Sequence, residues 1–396
     1  MDDFISFLER SSTIWHASAE VCNRLQKAGF ERLDEREVWR LEKGRSYFVA
    51  REGAAVLAFR MPHEGIEKAL VLATHIDSPA LRLKPHPDVE ADKMWVLGTE
   101  LYGGPLMATW LDRDLHVAGR IIRRDGKQEL VQFEERITIP NVAIHLNKAV
   151  NDDGLKLHKQ DHMRPIAKIG DRLGAYLSFD LLLVPAEKPA KLAEDRIAAY
   201  RLDNLITAYP CLQALIEAKP AKGLLPLAAF WDHEEVGSET STGADSAFLL
   251  ETLERIVGSR EALFPLKARS TVLSCDVTHA YHPNYADKYD AENAPRMGAG
   301  VAVKFSGQMK YATSALSMAP LAKLADQVKI LLQVGANRSD IPGGSTVGPI
   351  MAAGLGIKTV DLGVGLWAMH SIRETGSLAD MRALGQLLKA AVTEGL

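Results

Sequence analysis

The sequence predicts an α/β fold, a mixed sheet with helices on both faces, carrying a β-rich insert. Three observations lead there. From about residue 194 to the C-terminus, short apolar runs alternate with stretches of helical periodicity, the rhythm of a sheet covered on both sides. Several of those runs are apolar throughout and then end abruptly in ionisable residues, as buried strands do where they emerge at a sheet edge. Between about residues 81 and 193 the rhythm lapses into short β-like runs separated by polar and glycine turns, with no long amphipathic helix. The expected organisation is one discontinuous domain of residues 1–80 and 194–396, split by an insert at 81–193, which suits a chain of 396 residues.

In chain order, Ile5, Phe7, Leu8, Ile14, Trp15, Val21 and Leu25 recur at roughly helical spacing, with Gly29 as a stop. Tyr47–Val49 and Ala54–Phe59 read as paired strands turning at Arg51-Glu52-Gly53. Lys68–Thr74 reads as a buried strand that runs into His75-Ile76-Asp77-Ser78-Pro79. Inside the insert, β-like runs cover Ala118–Arg123, Leu130–Phe133 and Ala175–Val184, and Pro185-Ala186-Glu187-Lys188-Pro189 forms an exit linker. Helical periodicity returns over Glu194–Ala218, with an interruption expected at Tyr209-Pro210. Strands are then expected at Leu224–Trp231, Ser270–Cys275, Gly300–Phe305 and Lys358–Gly363, and helices at Ser246–Ile256, Ala319–Val334 and Leu378–Glu394.

Composition excludes several classes. A hydrophobic content of 47% supports a sizeable core, and a net charge of −4 with no basic block argues against nucleic acid. The acidic start Met1-Asp2-Asp3-Phe4 lacks the pattern of a secretory signal. No apolar segment approaches the ~20 residues of a membrane helix. Cys22, Cys211 and Cys275 are scattered without CxxC spacing, so a reducing, cytoplasmic setting is expected rather than a disulfide framework.

The chemistry centres on Phe230-Trp231-Asp232-His233-Glu234-Glu235-Val236-Gly237, four ionisable residues at the end of the apolar run Leu224–Phe230. Charge at the end of a buried strand is costly unless solvated, paired or bound to metal. That edge is also where open α/β sheets bind ligands. Adjacent carboxylates can divide the work of metal hydrolysis, one ligating an ion and the other handling the proton of the attacking water. The residues themselves leave open which glutamate does which, and an acidic solvated loop is the plain alternative. Three other strand ends or turns offer ligand types at His75, Asp276 and His370, and Asp203 stands at the start of a helical segment. Two histidines, two aspartates and a glutamate would hold a pair of divalent ions with one carboxylate bridging. Mixed nitrogen and oxygen ligation suits zinc, with cobalt or manganese as substitutes. In His75-Ile76-Asp77 the aspartate is placed to accept the other N–H of the imidazole.

Further motifs are Glu100-Leu101-Tyr102-Gly103-Gly104, Trp110-Leu111-Asp112-Arg113-Asp114-Leu115, Ile139-Pro140-Asn141-Val142-Ala143-Ile144-His145-Leu146, Arg201-Leu202-Asp203-Asn204, Ala280-Tyr281-His282-Pro283-Asn284-Tyr285, Tyr311-Ala312-Thr313, Gly343-Gly344-Ser345-Thr346-Val347-Gly348-Pro349-Ile350 and Ala368-Met369-His370-Ser371-Ile372-Arg373-Glu374. With Thr74-His75-Ile76-Asp77-Ser78-Pro79 and Asp232–Ser238, they run in order over most of the chain. Together they resemble the aspartyl aminopeptidases, dinuclear metallo-aminopeptidases of zinc-exopeptidase fold that build tetrahedral shells.

That resemblance implies that Asp203 bridges two metal ions, with His75 and Asp276 on one and Glu235 and His370 on the other. Glu234 would be the general base and Asp77 the residue that orients His75. Residues 81–193 would be a dimerisation domain whose His145 reaches the partner subunit's active site, where an imidazole could stabilise the oxyanion. The implied substrates are peptides with an acidic first residue, and the implied assembly is a dimer extended to a tetrahedral dodecamer. Lys304 and Tyr311 match the substrate-pocket positions, with Gly344 offering a backbone N–H, although a lysine in such a strand can also snorkel to solvent. Ile341-Pro342-Gly343-Gly344 has glycine where some relatives have cysteine, and the insert is shorter than in eukaryotic relatives. Two rivals remain: a same-fold aminopeptidase or deacylase of neutral or broader specificity, and a non-catalytic shell protein. The second would be expected to have lost ligands, yet every expected position is filled.

Overall fold

The strands Lys68–His75 and Leu224–Trp231 run parallel and side by side within a nine-stranded mixed sheet. Every residue of Leu224–Trp231 is buried, so both faces of the sheet must be covered. The alternation of side chains along a strand divides the core accordingly. Leu70 and Leu72 pack with the helices Ile14–Lys27, Leu202–Glu217 and Leu378–Glu394, while Ala69, Val71 and Ala73 pack with Phe248–Val257, Arg260–Arg269 and Val347–Leu355. This computed structural model describes residues 2–396. Among them no helix is long and apolar enough to cross a membrane.

Three parallel neighbours matter for function. Leu224–Trp231, Lys68–His75 and Thr271–Cys275 lie adjacent, with Trp231 opposite His75 and Ser274 opposite Ala73. Their carboxyl ends therefore open at one edge of the sheet. A small five-stranded sheet beside that edge includes Gly365–Trp367 and Glu374–Ser377, and the loop between these strands carries His370. Residues 80–185 contribute a third, antiparallel sheet in the order Met94–Tyr102, Ala80–Ala91, Tyr176–Pro185, Leu115–Arg123, Gln128–Gln132. Its only helices are short turns such as Val150–Asp153 and Gly170–Leu173.

Several expected elements differ. The first helical stretch is two helices, Asp2–Arg10 and Ile14–Lys27, parted at Ser11-Ser12-Thr13. The stretch expected as helix over Glu194–Ala218 begins as the strand Arg196–Ala199, which pairs with Glu374–Ser377. The helix proper, Leu202–Glu217, runs through Pro210, and its irregular backbone lies at Asp203 and Asn204 instead. The helix expected over Ala319–Val334 is Ala315–Val328, ended by Lys329 in the left-handed region (φ 58°), and Leu332–Gly335 is an edge strand. The long hairpin Ala80–Ala91 with Met94–Tyr102 was not expected. It contains Pro85 and Pro87, which sit where its register shifts between Leu83 and Asp88, a place where lost ladder donors are tolerated.

Candidate active site

The strand ends bring the expected ligand types together. His75, the last residue of its strand, points Nε2 at Asp203 Oδ1 (3.2 Å) and Asp276 Oδ1 (3.4 Å), with Glu234 Oε2 at 4.0 Å. His370 points Nε2 at Asp203 Oδ2 and Glu235 Oε2, both 3.4 Å away. Each imidazole is held from behind through Nδ1. That of His75 lies 3.3 Å from Asp77 Oδ1 and 3.2 Å from the Asp77 carbonyl, and that of His370 lies 3.1 Å from the Gly104 carbonyl. These acceptors favour the Nδ1–H tautomer and leave both Nε2 lone pairs facing the centre.

Asp203 Oδ1, Glu235 Oε1 and Asp276 Oδ1 are buried and accept no hydrogen bond. The 3.2 Å and 3.4 Å contacts around Asp203 and Asp276 thus lack hydrogen-bonding geometry. Buried carboxylate oxygens without donors are costly, and a cation removes that cost. A zinc-type ion fits this donor set of imidazole nitrogen and carboxylate oxygen. The tightest groupings, within 4.8 Å, are His75 with Asp203 and Glu235, and His75 with Glu234 and Asp276. They include Glu234, the residue expected to stand off the metal, and omit His370, which faces Asp203 and Glu235 from the other side.

The electrostatics of the cluster suit a cation. Burial above all, with the Asp276 and Asp77 carboxylates adding, pushes Glu234 up to about 8 against the pull of His75. Burial and then Asp203 raise Glu235 well above the usual range. Burial disfavours a charged His370, yet Asp203 holds the imidazole up at about 9. A divalent ion held by these residues would favour ionised carboxylates and neutral imidazoles.

The turn Glu234–Val236 presents both glutamates after His233 in the left-handed region (φ 59°). Asp77 fixes that turn as well as His75. Its Oδ1 accepts the Glu234 N–H (3.3 Å), and its Oδ2 accepts the Glu235 N–H (3.2 Å) and the Tyr102 hydroxyl (2.6 Å). Sequence reasoning missed Tyr102 in this role. It also missed Glu374, whose Oε1 accepts the His370 N–H (2.7 Å) and whose Oε2 accepts the Asp203 N–H (3.0 Å). Asn204 Nδ2 donates to Thr74 Oγ1 (3.0 Å) and the Cys275 carbonyl (2.8 Å), tying the segment that carries Asp203 to two strand ends. The signal lay in the quoted motifs, since Tyr102 and Glu374 stand inside two of them.

A cleft of about 510 Å³ is lined by all the expected site residues except Asp77, which lies behind His75, and His145. Lys304 is only 2% exposed, which removes the snorkelling alternative. Its Nζ donates to the Val277 carbonyl (2.9 Å), lies 3.4 Å from Asp276 Oδ2, and stands 5.0 Å from the Tyr311 ring centroid. A more enclosed cavity of about 210 Å³, which Asp77 also lines, contains Arg82 and Arg120, both paired with the single carboxylate of Asp180. His145 does not reach the cleft within one chain; it sits on the exposed turn Ile144–Leu146.

Imidazoles and buried carboxylates gathered at the carboxyl edge of a mixed sheet define a metallohydrolase site. A family model described as aminopeptidase I zinc metalloprotease (M18) matches residues 7–175 and 167–391. The chain belongs to the M18 aminopeptidase family. It is 39% identical over 415 residues to "Probable M18 family aminopeptidase 2" of Stutzerimonas stutzeri, covering 98% of this chain and 96% of that protein. Among solved structures it is similar to the M18 aminopeptidase of Thermotoga maritima, with TM-score 0.90, 27% identity, and 99% and 95% of the two chains covered. It is similar also to mApe1 of Chaetomium thermophilum, with TM-score 0.88, 28% identity, and 99% and 96% covered. The S. cerevisiae mApe1 dodecamer shares the fold at TM-score 0.83 and 23% identity, with 98% and 95% covered. The chain is thus an aminopeptidase of zinc metalloprotease type.

Proposed function

We propose that this chain removes acidic N-terminal residues from peptides with two divalent ions held by its buried carboxylates and imidazoles. The observation carrying this reading is Asp203, whose oxygens face different imidazoles, His75 at 3.2 Å and His370 at 3.4 Å. In this reading Asp203 bridges the ions, His75 and Asp276 complete one site, and Glu235 and His370 complete the other. Ions held there supply Lewis-acid polarisation of the scissile carbonyl and make water easier to deprotonate. Glu234 takes the proton of the attacking water and returns it to the leaving amine. Asp77 keeps the His75 tautomer that directs Nε2 inward. The test is a pair of variants. Glu234→Gln should abolish turnover with zinc content unchanged, whereas Glu235→Gln should lower zinc content; an emptied site in Glu234→Gln reverses the roles.

Lys304 supports the acidic preference, because a buried ammonium at the cleft wall attracts a substrate carboxylate. One observation favours a neutral or broader specificity: Lys304 Nζ lies 3.4 Å from Asp276 Oδ2 and already shares its charge. Aspartyl, glutamyl, leucyl and lysyl chromogenic substrates separate the two readings, and leucyl cleaved faster than aspartyl would sink the acidic one. Lys304→Leu should then damage only the acidic substrates.

The reading extends to assembly. Residues 81–193 would form a dimerisation domain, with His145 acting in the partner's cleft. In support, His145 stands between the apolar Ile144 and Leu146, 48% and 80% exposed, in the form of a surface awaiting a second copy. A tetrahedral dodecamer follows the same line, since one structural neighbour is a dodecamer. A cytoplasmic location completes the proposal.

A further inference from the structure

We propose that Asp361 is a positioning residue that sets the substrate-side wall of the cleft. This rests on the reading of that cleft as the peptide-binding site. Asp361 lies in the strand Lys358–Gly363, fully buried and outside the cleft lining. One carboxylate there holds three separate segments. Its Oδ1 accepts the hydroxyls of Ser274 (2.7 Å) and Thr346 (2.6 Å), and its Oδ2 accepts the Ala312 N–H (2.6 Å). The Asp361 backbone N–H donates to Thr313 Oγ1 at 2.8 Å, so the loop after Tyr311 is held twice.

Each segment leads to the cleft. Ala312 follows Tyr311, Thr346 ends the run Gly344-Ser345-Thr346, and Ser274 precedes Asp276 by two positions on its strand. The ammonium of Lys304 lies within electrostatic reach of Asp361 and beside Tyr311. The fit is close. A Cβ at Gly348, in the first turn of the helix Val347–Leu355, would overlap the Asp361 carboxylate. Only glycine lets that helix start against the charge, where helix N–H groups favour an anion. The carboxylate is therefore a fixed post from which the Tyr311 and Gly344 loops take their separation.

Asp361 touches no proposed metal ligand itself. Two of its three side-chain bonds run to Ala312 and Thr346 on the substrate side, while the third, to Ser274, stops two residues short of Asp276. Its removal should therefore move substrate binding far more than chemistry or metal. Asp361→Ala is expected to raise KM about tenfold or more, with kcat nearly unchanged and zinc content as in wild type. Amide exchange at residues 311–313 and 343–346 should accelerate, while exchange in the strand Lys68–His75 stays as before. Thr346→Val and Thr346→Ser read the same link from the loop. The valine should raise KM and the serine, which keeps the hydroxyl, should restore it.

If exchange accelerates at both loops and KM does not move, the loops do not set substrate binding and the proposal fails. If kcat and zinc content fall while KM holds, Asp361 acts on the metal side and the proposal also fails. Should Asp361→Ala not fold, the Thr346 pair decides alone, and equal KM in valine and serine variants overturns the inference. A wild-type enzyme that prefers leucyl peptides would refute the acidic specificity and leave this test intact, because the KM effect is read on whichever substrate is cleaved.

Discussion

Replacing Glu374 with glutamine tests how far the metal site depends on backbone held from outside it. Glu374 is 2% exposed, and its two oxygens accept the amides of His370 (2.7 Å) and Asp203 (3.0 Å), the backbones of two proposed ligands on elements far apart in sequence. Glutamine keeps the shape but has one acceptor. Whichever way its amide turns, an NH₂ group meets a backbone N–H, so one bond is lost and two donors are opposed. A hydrogen bond to a charged group contributes about 1.5–3 kcal/mol, and a donor left buried and unpaired costs a similar amount. Losing support of this kind typically lowers metal affinity about 10–100-fold. Competition with a chromophoric chelator measures zinc affinity directly, and calorimetry with and without zinc separates it from stability. Glu374→Gln should bind zinc at least about tenfold more weakly. Affinity within about threefold of wild type, in a folded protein, would refute the claim that Glu374 organises the ligands.

Two other outcomes follow from single contacts. Tyr102→Phe removes only the hydroxyl bonded to Asp77 Oδ2 at 2.6 Å, and should weaken zinc binding about tenfold while the ring keeps its packing; unchanged affinity would mean that Asp77 needs only its backbone donors. His16 is held down at about 4, by burial first and Arg201 second, against an ordinary value of 6.5. Its charged form is disfavoured in the folded state, so between these values the unfolded chain binds more protons and stability is lost as pH falls from 6.5 towards 4. The loss amounts to about 3–4 kcal/mol at most. His16→Gln should flatten the fall of Tm across that window, and parallel slopes in the two proteins would remove His16 as the cause.

What was legible in the sequence follows physical lines. Leu224–Trp231 matches the expected strand end to end because a strand covered on both faces must be apolar throughout, and Lys358–Gly363 matches as well although it buries Thr359 and Asp361. Ligand-type residues at the ends of such strands stand out for the same reason. Arg196–Ala199 did not stand out, because its strand state comes from pairing with Glu374–Ser377, which local periodicity cannot encode. The hairpin over residues 80–102 was hidden by two prolines that the register shift accommodates. Glu374, Tyr102 and Asp361 act on backbone amides, hydroxyls or another carboxyl group, and those partners carry no residue-type signal. The supports of a site are harder to read than its ligands because the ligands need particular chemistry, whereas a support needs only a place.

The adjacent glutamates make that distinction concrete. Nothing in Glu234-Glu235 distinguishes two identical side chains, and the difference is imposed by Asp77, which takes the N–H of one on each oxygen. With the backbone pinned on a single turn, the side chains diverge. Glu235 is left 4% exposed and 3.4 Å from His370, while Glu234 is 15% exposed and 4.0 Å from His75. A ligand gains from burial and rigidity, and a base must reach a water and a leaving group that arrive from the cleft. The proposed division of labour follows from these surroundings. On that proposal Asp77 would do more than orient His75: by holding both amides, it would fix the proposed base relative to the proposed ligands.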